Sequence, residues 1–271
     1  MRLRPVSSFI LAGLVTLGVL HAQKPFRQYY GGEYEDFPLP ADWQKPAEFT
    51  RARLMYLSVG PVHDPRIDTG QWSWGTDYPR TDRHFLNGLR RLTRVDARSV
   101  EQVVELDGSD DIYNWPFLYG VEVGHWHLDE FEAEQLRDYL LRGGFFMTDD
   151  FHGTIEWDVF MEGMRKVLPG RKVVDIDNEN PIFHVVYDID NTIQVPGAQS
   201  LYYPYLPYEF DGFDPKYRAI YDYRDRIIAG ICHNMDIGDA IEHSDDPAYP
   251  AESANLAYRI TSNYVVYAMT H

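Results

Sequence analysis

The 271-residue chain contains a single cysteine, Cys232, so no disulfide can form within it. A chain built this way must hold itself together by its apolar core, and at 44% apolar residues it has enough to bury. Cys232 lies in the apolar run Ile227–Cys232, which predicts a buried, inert thiol. Basic residues are scarce: 25 Lys+Arg face 42 Asp+Glu, a net charge of −17. That deficit excludes nucleic acid as a partner, because no surplus of cations exists to displace phosphate counterions. It equally excludes an electrostatic dock on anionic lipid. The chain also lacks G-x-S-x-G, H-E-x-x-H, G-x-G-x-x-G and a phosphate-binding glycine loop. The turn Gly60-Pro61-Val62-His63 has one glycine and cannot wrap a pyrophosphate in the usual way.

What is present begins with an address. Arg2 and Arg4 precede the apolar stretch Phe9–Leu20, and Leu20-His21-Ala22 stands ahead of Gln23. These are the basic, apolar and small-residue parts of a secretory signal over residues 1–22, with an imperfect match at Leu20. The stretch is too short for a comfortable membrane span. The expectation is an exported protein, periplasmic or extracellular, with no membrane span in the mature chain. Residues 23–50 are rich in proline, aromatics and acids without a helical or strand period, and read as an irregular arm on the domain surface.

Residues 51–271 read as one α/β domain. Leu54–Val59, Phe117–Val123 and Phe145–Thr148 are near-continuous apolar runs, as buried parallel strands require. Between them lie helical patterns. One, capped by Thr81 or Asp82, turns Phe85, Leu89 and Leu92 inward. Another, Asp129–Arg142, turns Phe131, Leu136, Tyr139 and Leu140 inward and stops at Gly143-Gly144. A third carries Trp157, Phe160, Met161, Met164 and Val167. Residues 171–186 hold two strand-like runs. Ala219–Tyr223 and Ile227–Cys232 are strands, 233–251 is a polar acidic loop, and Glu252–Met269 is a final helix. The alternation predicts a mainly parallel sheet covered by helices on both faces, a three-layer sandwich.

In such a sheet ligands bind beyond the carboxyl ends of the strands. Four loops there have unusual content. Trp72, Trp74, Asp77 and Tyr78 fit a sugar-stacking platform, or aromatic packing beneath a long loop. His125 and His127 offer an i, i+2 imidazole pair suited to a metal; alternatively one bonds a loop carbonyl and the other faces solvent. Asp149, Asp150 and His152 form a carboxylate pair with a base, where one carboxyl pKa is pushed up; alternatively an Asp caps the next helix. Asp236, Asp239 and Glu242 form a loose carboxylate run near His233 and His243, or a solvated acidic loop.

These residues carry a resemblance. Trp74-x-x-Asp77-Tyr78-Pro79, Gly124-His125, Leu136-x-x-Tyr139-Leu140-x-x-Gly143-Gly144-Phe145, Asp149-Asp150-x-His152-Gly153, Asn180-Pro181-Ile182-Phe183-His184 and Asn234-x-Asp236-x-Gly238-Asp239 occur in that order. Arg53–His271 thereby resembles the bacterial domain-of-unknown-function family numbered 4159, of the class I glutamine-amidotransferase-like superfamily. Gly124–Pro181 is also similar to trehalose-utilisation-like proteins. The resemblance implies a flavodoxin-like parallel sheet but not amidotransferase chemistry, because the turn that should carry a nucleophilic Cys reads Asp149-Asp150-Phe151-His152.

Two kinds of function are expected. One is a module binding a carbohydrate or other polyhydroxy ligand through Trp72, Trp74, Asp77, Tyr78, His125, Asp149, Asp236 and Asp239, or an envelope partner protein using Tyr202–Tyr208. The alternative is a hydrolase or isomerase with Asp150 and His152 as catalytic groups, assisted by a divalent metal on His125 and His152. No other cofactor is indicated, and the metal itself is left unidentified.

Overall fold

A computed structural model describes residues 23–29, 37–58, 73–201 and 206–271. The predicted signal over 1–22, together with Trp72 and Tyr202–Tyr205, lies outside the described residues. The strands are β1 (Ala52–Met55), β2 (Leu57–Ser58), β3 (Gln102–Glu105), β4 (Phe117–Val121), β5 (Trp126–His127), β6 (Phe145–Asp149), β7 (Val173–Asp175), β8 (Lys216–Tyr221) and β9 (Ile227–His233). The α-helices are α1 (Arg80–Leu92), α2 (Glu130–Leu141), α3 (Gly153–Val167), α4 (Ile237–Glu242) and α5 (Ala251–Thr270).

Seven strands form one sheet in the order β3-β1-β4-β6-β9-β8-β7, while β2 and β5 pair as a short antiparallel ribbon. From β3 to β9 every pairing is parallel, with Tyr119 opposite Met147 and Met147 opposite Gly230. Taken in chain order, these five strands run 2-1-3-4-5, the order of a doubly wound flavodoxin-like sheet. The chain then adds β8 and β7 antiparallel at one edge. Alternate residues of each strand enter opposite cores. Tyr119 and Met147 face Phe85, Leu89, Ile260 and Tyr264 of α1 and α5. Leu118 and Phe146 face Leu136, Leu140, Phe160 and Met164 of α2 and α3. Burial on both faces explains why β4 and β6 are apolar throughout rather than alternating.

Several elements differ from the sequence reading for identifiable reasons. α1 starts after Pro79 without a side-chain cap, and Thr81 and Asp82 lie inside it. Asp82 turns inward because two fully buried arginines need it: Arg53 Nε donates to its Oδ2 at 2.8 Å, and Arg51 Nε stands 3.2 Å from Oδ1. Leu92, in the last turn, is 47% exposed. Phe131 is also exposed, its ring set over Gly108 instead of the core, while Leu136, Tyr139 and Leu140 are buried. Asp129 caps α2 in a reciprocal box with Glu132. β8 ends at Tyr221, not Tyr223, because Asp222 accepts the N–H groups of Arg224 and Arg226 to close the hairpin. The second run within 171–186 is a 3-10 turn, Pro181–His184, capped by Asn180. The supposed loop 233–251 contains α4. Cys232 is buried on β9, and burial raises its thiol pKa well above the usual range.

Arg53 also donates to the carbonyls of Trp74 (2.8 Å) and Thr76 (2.9 Å), fastening the segment before α1 to the sheet. Arg51 lies over the Tyr119 ring at 3.8 Å. Removing the buried anion that these two cations share leaves Arg51 and Arg53 without their ion-pair partner. Asp82→Asn is therefore expected to cost about 3–5 kcal/mol in urea unfolding. A loss below about 1 kcal/mol, the range of an exposed pair, would contradict this role.

Candidate functional site

Three central parallel strands end in the same way. β4, β6 and β9 are each followed by one residue in the left-handed region: Glu122 (φ 53°), Asp150 (φ 57°) and Asn234 (φ 64°). Left-handed backbone is strained for residues with a Cβ, and such strain collects at functional sites. The turns are braced. Asp150 N donates to Met235 O, Asn234 N to Phe151 O and Glu122 N to Asp149 O. The Tyr56 hydroxyl sits 2.6 Å from Val121 O and 2.8 Å from Glu122 O, which it shares as acceptors. Each turn sends the residues after it toward the same carboxyl edge.

His152 is the centre of that edge. Its Nε2 lies 2.8 Å from Asp236 Oδ1 and 3.4 Å from Asp150 Oδ1. Its backbone N–H donates to Glu156 Oε2, whose other oxygen, Oε1, lies 3.1 Å from His125 Nε2. Glu122 Oε2 is 3.7 Å from the same His125 nitrogen. Glu156 thus joins two carboxylate–imidazole triplets, Asp150/His152/Asp236 and Glu122/His125/Glu156, in each of which the donor atoms lie within 4.8 Å of one another. Gly124 makes the junction possible, since a Cβ there would stand 2.4 Å from Glu156 Cβ. Glu156 is buried on the first turn of α3, four residues after His152.

Around this knot sit further acids. Asp149 accepts the N–H groups of Ile237 (3.1 Å) and Gly238 (2.7 Å), and the Tyr119 hydroxyl lies 3.3 Å away. It braces α4 and does not cap α3. Asp77 (φ 58°) points an oxygen at Gly238, 2.6 Å from where a Cβ would be. Asp239, Glu242 and His243 make a third triplet.

The electrostatics follow from crowding acids in a dry place. Asp150 is pushed up to about 7, first by burial and then by the Asp236 carboxylate. Asp149 rises to about 7 through burial and then Asp150, although its two backbone donors pull the other way. Asp236 rises to about 6 through burial, opposed by His152. Asp239 reaches about 8 through burial, then Asp150 and Glu242. Burial alone would lower His152, but Asp236 and Asp150 outweigh it and hold the imidazole well above its usual range. All these shifts share one direction: the edge holds positive charge, as protons, that free side chains would shed. His233 is the exception, lowered to about 4 by burial. Arg218 Nη1 donates to its Nδ1 at 2.9 Å, so Nε2 carries the proton to Gly153 O at 3.1 Å.

Of the residues expected from sequence, His125, Asp149, Asp150, His152, Asp236, Asp239 and Asp77 meet along this edge. The aromatic platform does not form from its described members. Trp74 and Tyr78 are 7% and 2% exposed, and the Trp74 ring packs on Tyr29 and Tyr78 inside the core. His125 ends a buried 3-10 turn, Val123–His125, while His127 is exposed on β5, so the two imidazoles of the i, i+2 pair are divided between the interior and solvent. The 236–242 run is not a solvated loop, since Asp236 and Glu242 are buried. Glu156 was missed. Its only signal is the i, i+4 relation to His152, in a helix whose sequence is read for its apolar face.

A doubly wound α/β domain with a buried carboxylate–imidazole edge is the class this structure defines. The chain belongs to the family described as domain of unknown function (DUF4159), whose model matches residues 65–269. No curated protein matches it.

A carboxyl whose pKa rises on folding favours the fold below its ordinary pKa and loses that contribution as pH climbs through the raised value. The metal-free protein should therefore lose stability between pH 6.5 and 8.5, above the range where neutral His233 opposes the trend. The slope is about 1.4 kcal/mol per pH unit for each proton shed. Thermal melts in chelator should show this fall; stability that is flat or rising across the window would contradict the crowding.

Proposed function

We propose that this protein is a divalent-cation-dependent hydrolase acting at the carboxyl edge of its sheet. The observation that carries the reading is the convergence of His152 Nε2 on two buried carboxylates, joined through Glu156 to a second imidazole. Mixed carboxylate and imidazole donors suit zinc, manganese or iron. Asp150, His152 and Asp236 would hold the ion. A bound ion of this kind supplies a water acidified enough to attack at neutral pH. His125, paired with Glu156, is placed to take and return a proton beside it. His152 Nδ1 is buried without a hydrogen-bond partner, which suits a site completed by a ligand.

The surrounding acids favour an uncharged substrate with hydroxyl groups to donate, a glycoside or sugar ester, over a phosphate ester. On this reading the ligand is a polyhydroxy compound held by carboxylates in place of stacked rings. The leader-like residues 1–22 support a site of action outside the cytoplasm, and no described helix is long and apolar enough to cross a membrane. The 2-1-3-4-5 strand order and the left-handed Asp150 after β6 support kinship with the amidotransferase-like superfamily. On that kinship, the sharp strand-to-helix turn that would carry a nucleophile carries the Asp150 carboxylate here.

Hydrolysis of nitrophenyl glycosides, acetates and phosphates, measured with zinc or manganese and with chelator, tests the reading. Cation-dependent turnover is expected on the uncharged substrates, falling roughly 10²-fold or more in His152→Ala and Asp236→Asn. Activity that survives chelation, or is untouched by both variants, would overturn it.

A further inference from the structure

We propose that α4 carries a second divalent-cation site, formed by Asp239, Glu242 and His243 beside the buried carboxylate of Asp77, with no residue in common with the Asp150/His152/Asp236 triplet. The donor atoms of Asp239, Glu242 and His243 lie within 4.8 Å of one another. The i, i+3 spacing of Asp239 and Glu242 puts both on one face of the helix, and His243 follows at its end with Nε2 3.0 Å from Glu242 Oε2.

A cluster of acids alone would mean little; two independent atoms give it weight. Glu242 is 1% exposed and its Oε1 has no hydrogen-bond partner. Asp77 is 2% exposed and its Oδ2 has none either. A buried carboxylate oxygen without a donor costs one to several kcal/mol unless something positive meets it. Both atoms border the same helix, because Asp77 Oδ2 faces Gly238, the neighbour of Asp239. The Asp77 pKa is raised well above the usual range by burial and then by Asp239 and Glu242. Nearby cations have other commitments: Arg53 bonds Asp82 and two carbonyls, and Arg80 pairs with Asp245 at 2.7 Å. Asp239 and His243 are only partly buried, which leaves an approach for an ion from solvent. One imidazole with two carboxylates favours manganese, iron or zinc over calcium or magnesium.

The site would clamp α4 to the Asp77 turn. Its test is the manganese content of the full chain after loading and desalting, measured by mass spectrometry. Glu242→Gln and Asp77→Asn should each carry one ion fewer than wild type, and His152→Ala should also carry one fewer by losing the other ion. The combined Glu242→Gln/His152→Ala variant should carry two fewer. If Glu242→Gln misfolds, His243→Ala at the partly exposed end of the site replaces it and should lose the same ion. Thermal melts supply a second readout, since neutralising Glu242 should raise the melting temperature of the metal-free protein and abolish part of the rise that manganese produces. Unchanged manganese content in Glu242→Gln, Asp77→Asn and His243→Ala would overturn the proposal. If instead these variants lose an ion while His152→Ala loses none, the α4 site stands and the hydrolytic centre proposed above falls.

Discussion

Parallel strands discharge every chain turn at one edge, and here those turns deliver acids faster than bases. Asp149, Asp150, Glu156 and Asp236 are all buried there together with His125 and His152. The two fully buried arginines, Arg51 and Arg53, are already held by Asp82. Like charges in a low-dielectric place cannot all ionise, so the edge must take up positive charge from outside, as protons or as a metal ion. The fold tolerates this because the strain is local: single left-handed residues after β4, β6 and β9, each braced by backbone hydrogen bonds to a neighbouring turn.

The rest of the architecture serves to hold that edge rigid. β4 and β6 are buried on both faces between α1 with α5 and α2 with α3, so their ends cannot drift. α4 is fixed from below by Asp149 and from the side by Thr81, whose hydroxyl donates to Gly238 O at 3.0 Å. Ligands placed on such elements stay within the few tenths of an ångström that metal coordination or proton transfer requires.

Much of this was legible in the sequence, because apolar runs and helical spacing report burial directly. β4, β6, β9, α2, α3 and α5 follow from those patterns, and so does the gathering of His125, Asp150, His152 and Asp236 at one edge. What stayed hidden had contrary local signals. Gln102–Glu105 is a short edge strand whose Val-Val pair sits between polar residues. Arg51 and Arg53 look like surface charges until Asp82 and Tyr119 are placed beside them. Trp74 and Tyr78 look like a binding platform, but large rings fill a core equally well, and here they do. The α4 segment reads as solvated because acidic residues usually are, and Glu156 passes without notice in a helix read for its apolar face; only their neighbours in three dimensions make them buried. The left-handed turns at Glu122 and Asp150 have no sequence signal, since neither position is glycine or asparagine.

The charge that completes His152 and its two carboxylates thus decides what this edge can do. Anomalous diffraction at the zinc edge from crystals equilibrated with zinc tests it most directly. An ion is expected about 2.0–2.2 Å from His152 Nε2 and from oxygens of Asp150 and Asp236. An edge with no anomalous peak at saturating zinc, and with His152 still bonded to Asp236 alone, would mean that protons satisfy it and that the metal-dependent chemistry proposed here does not occur.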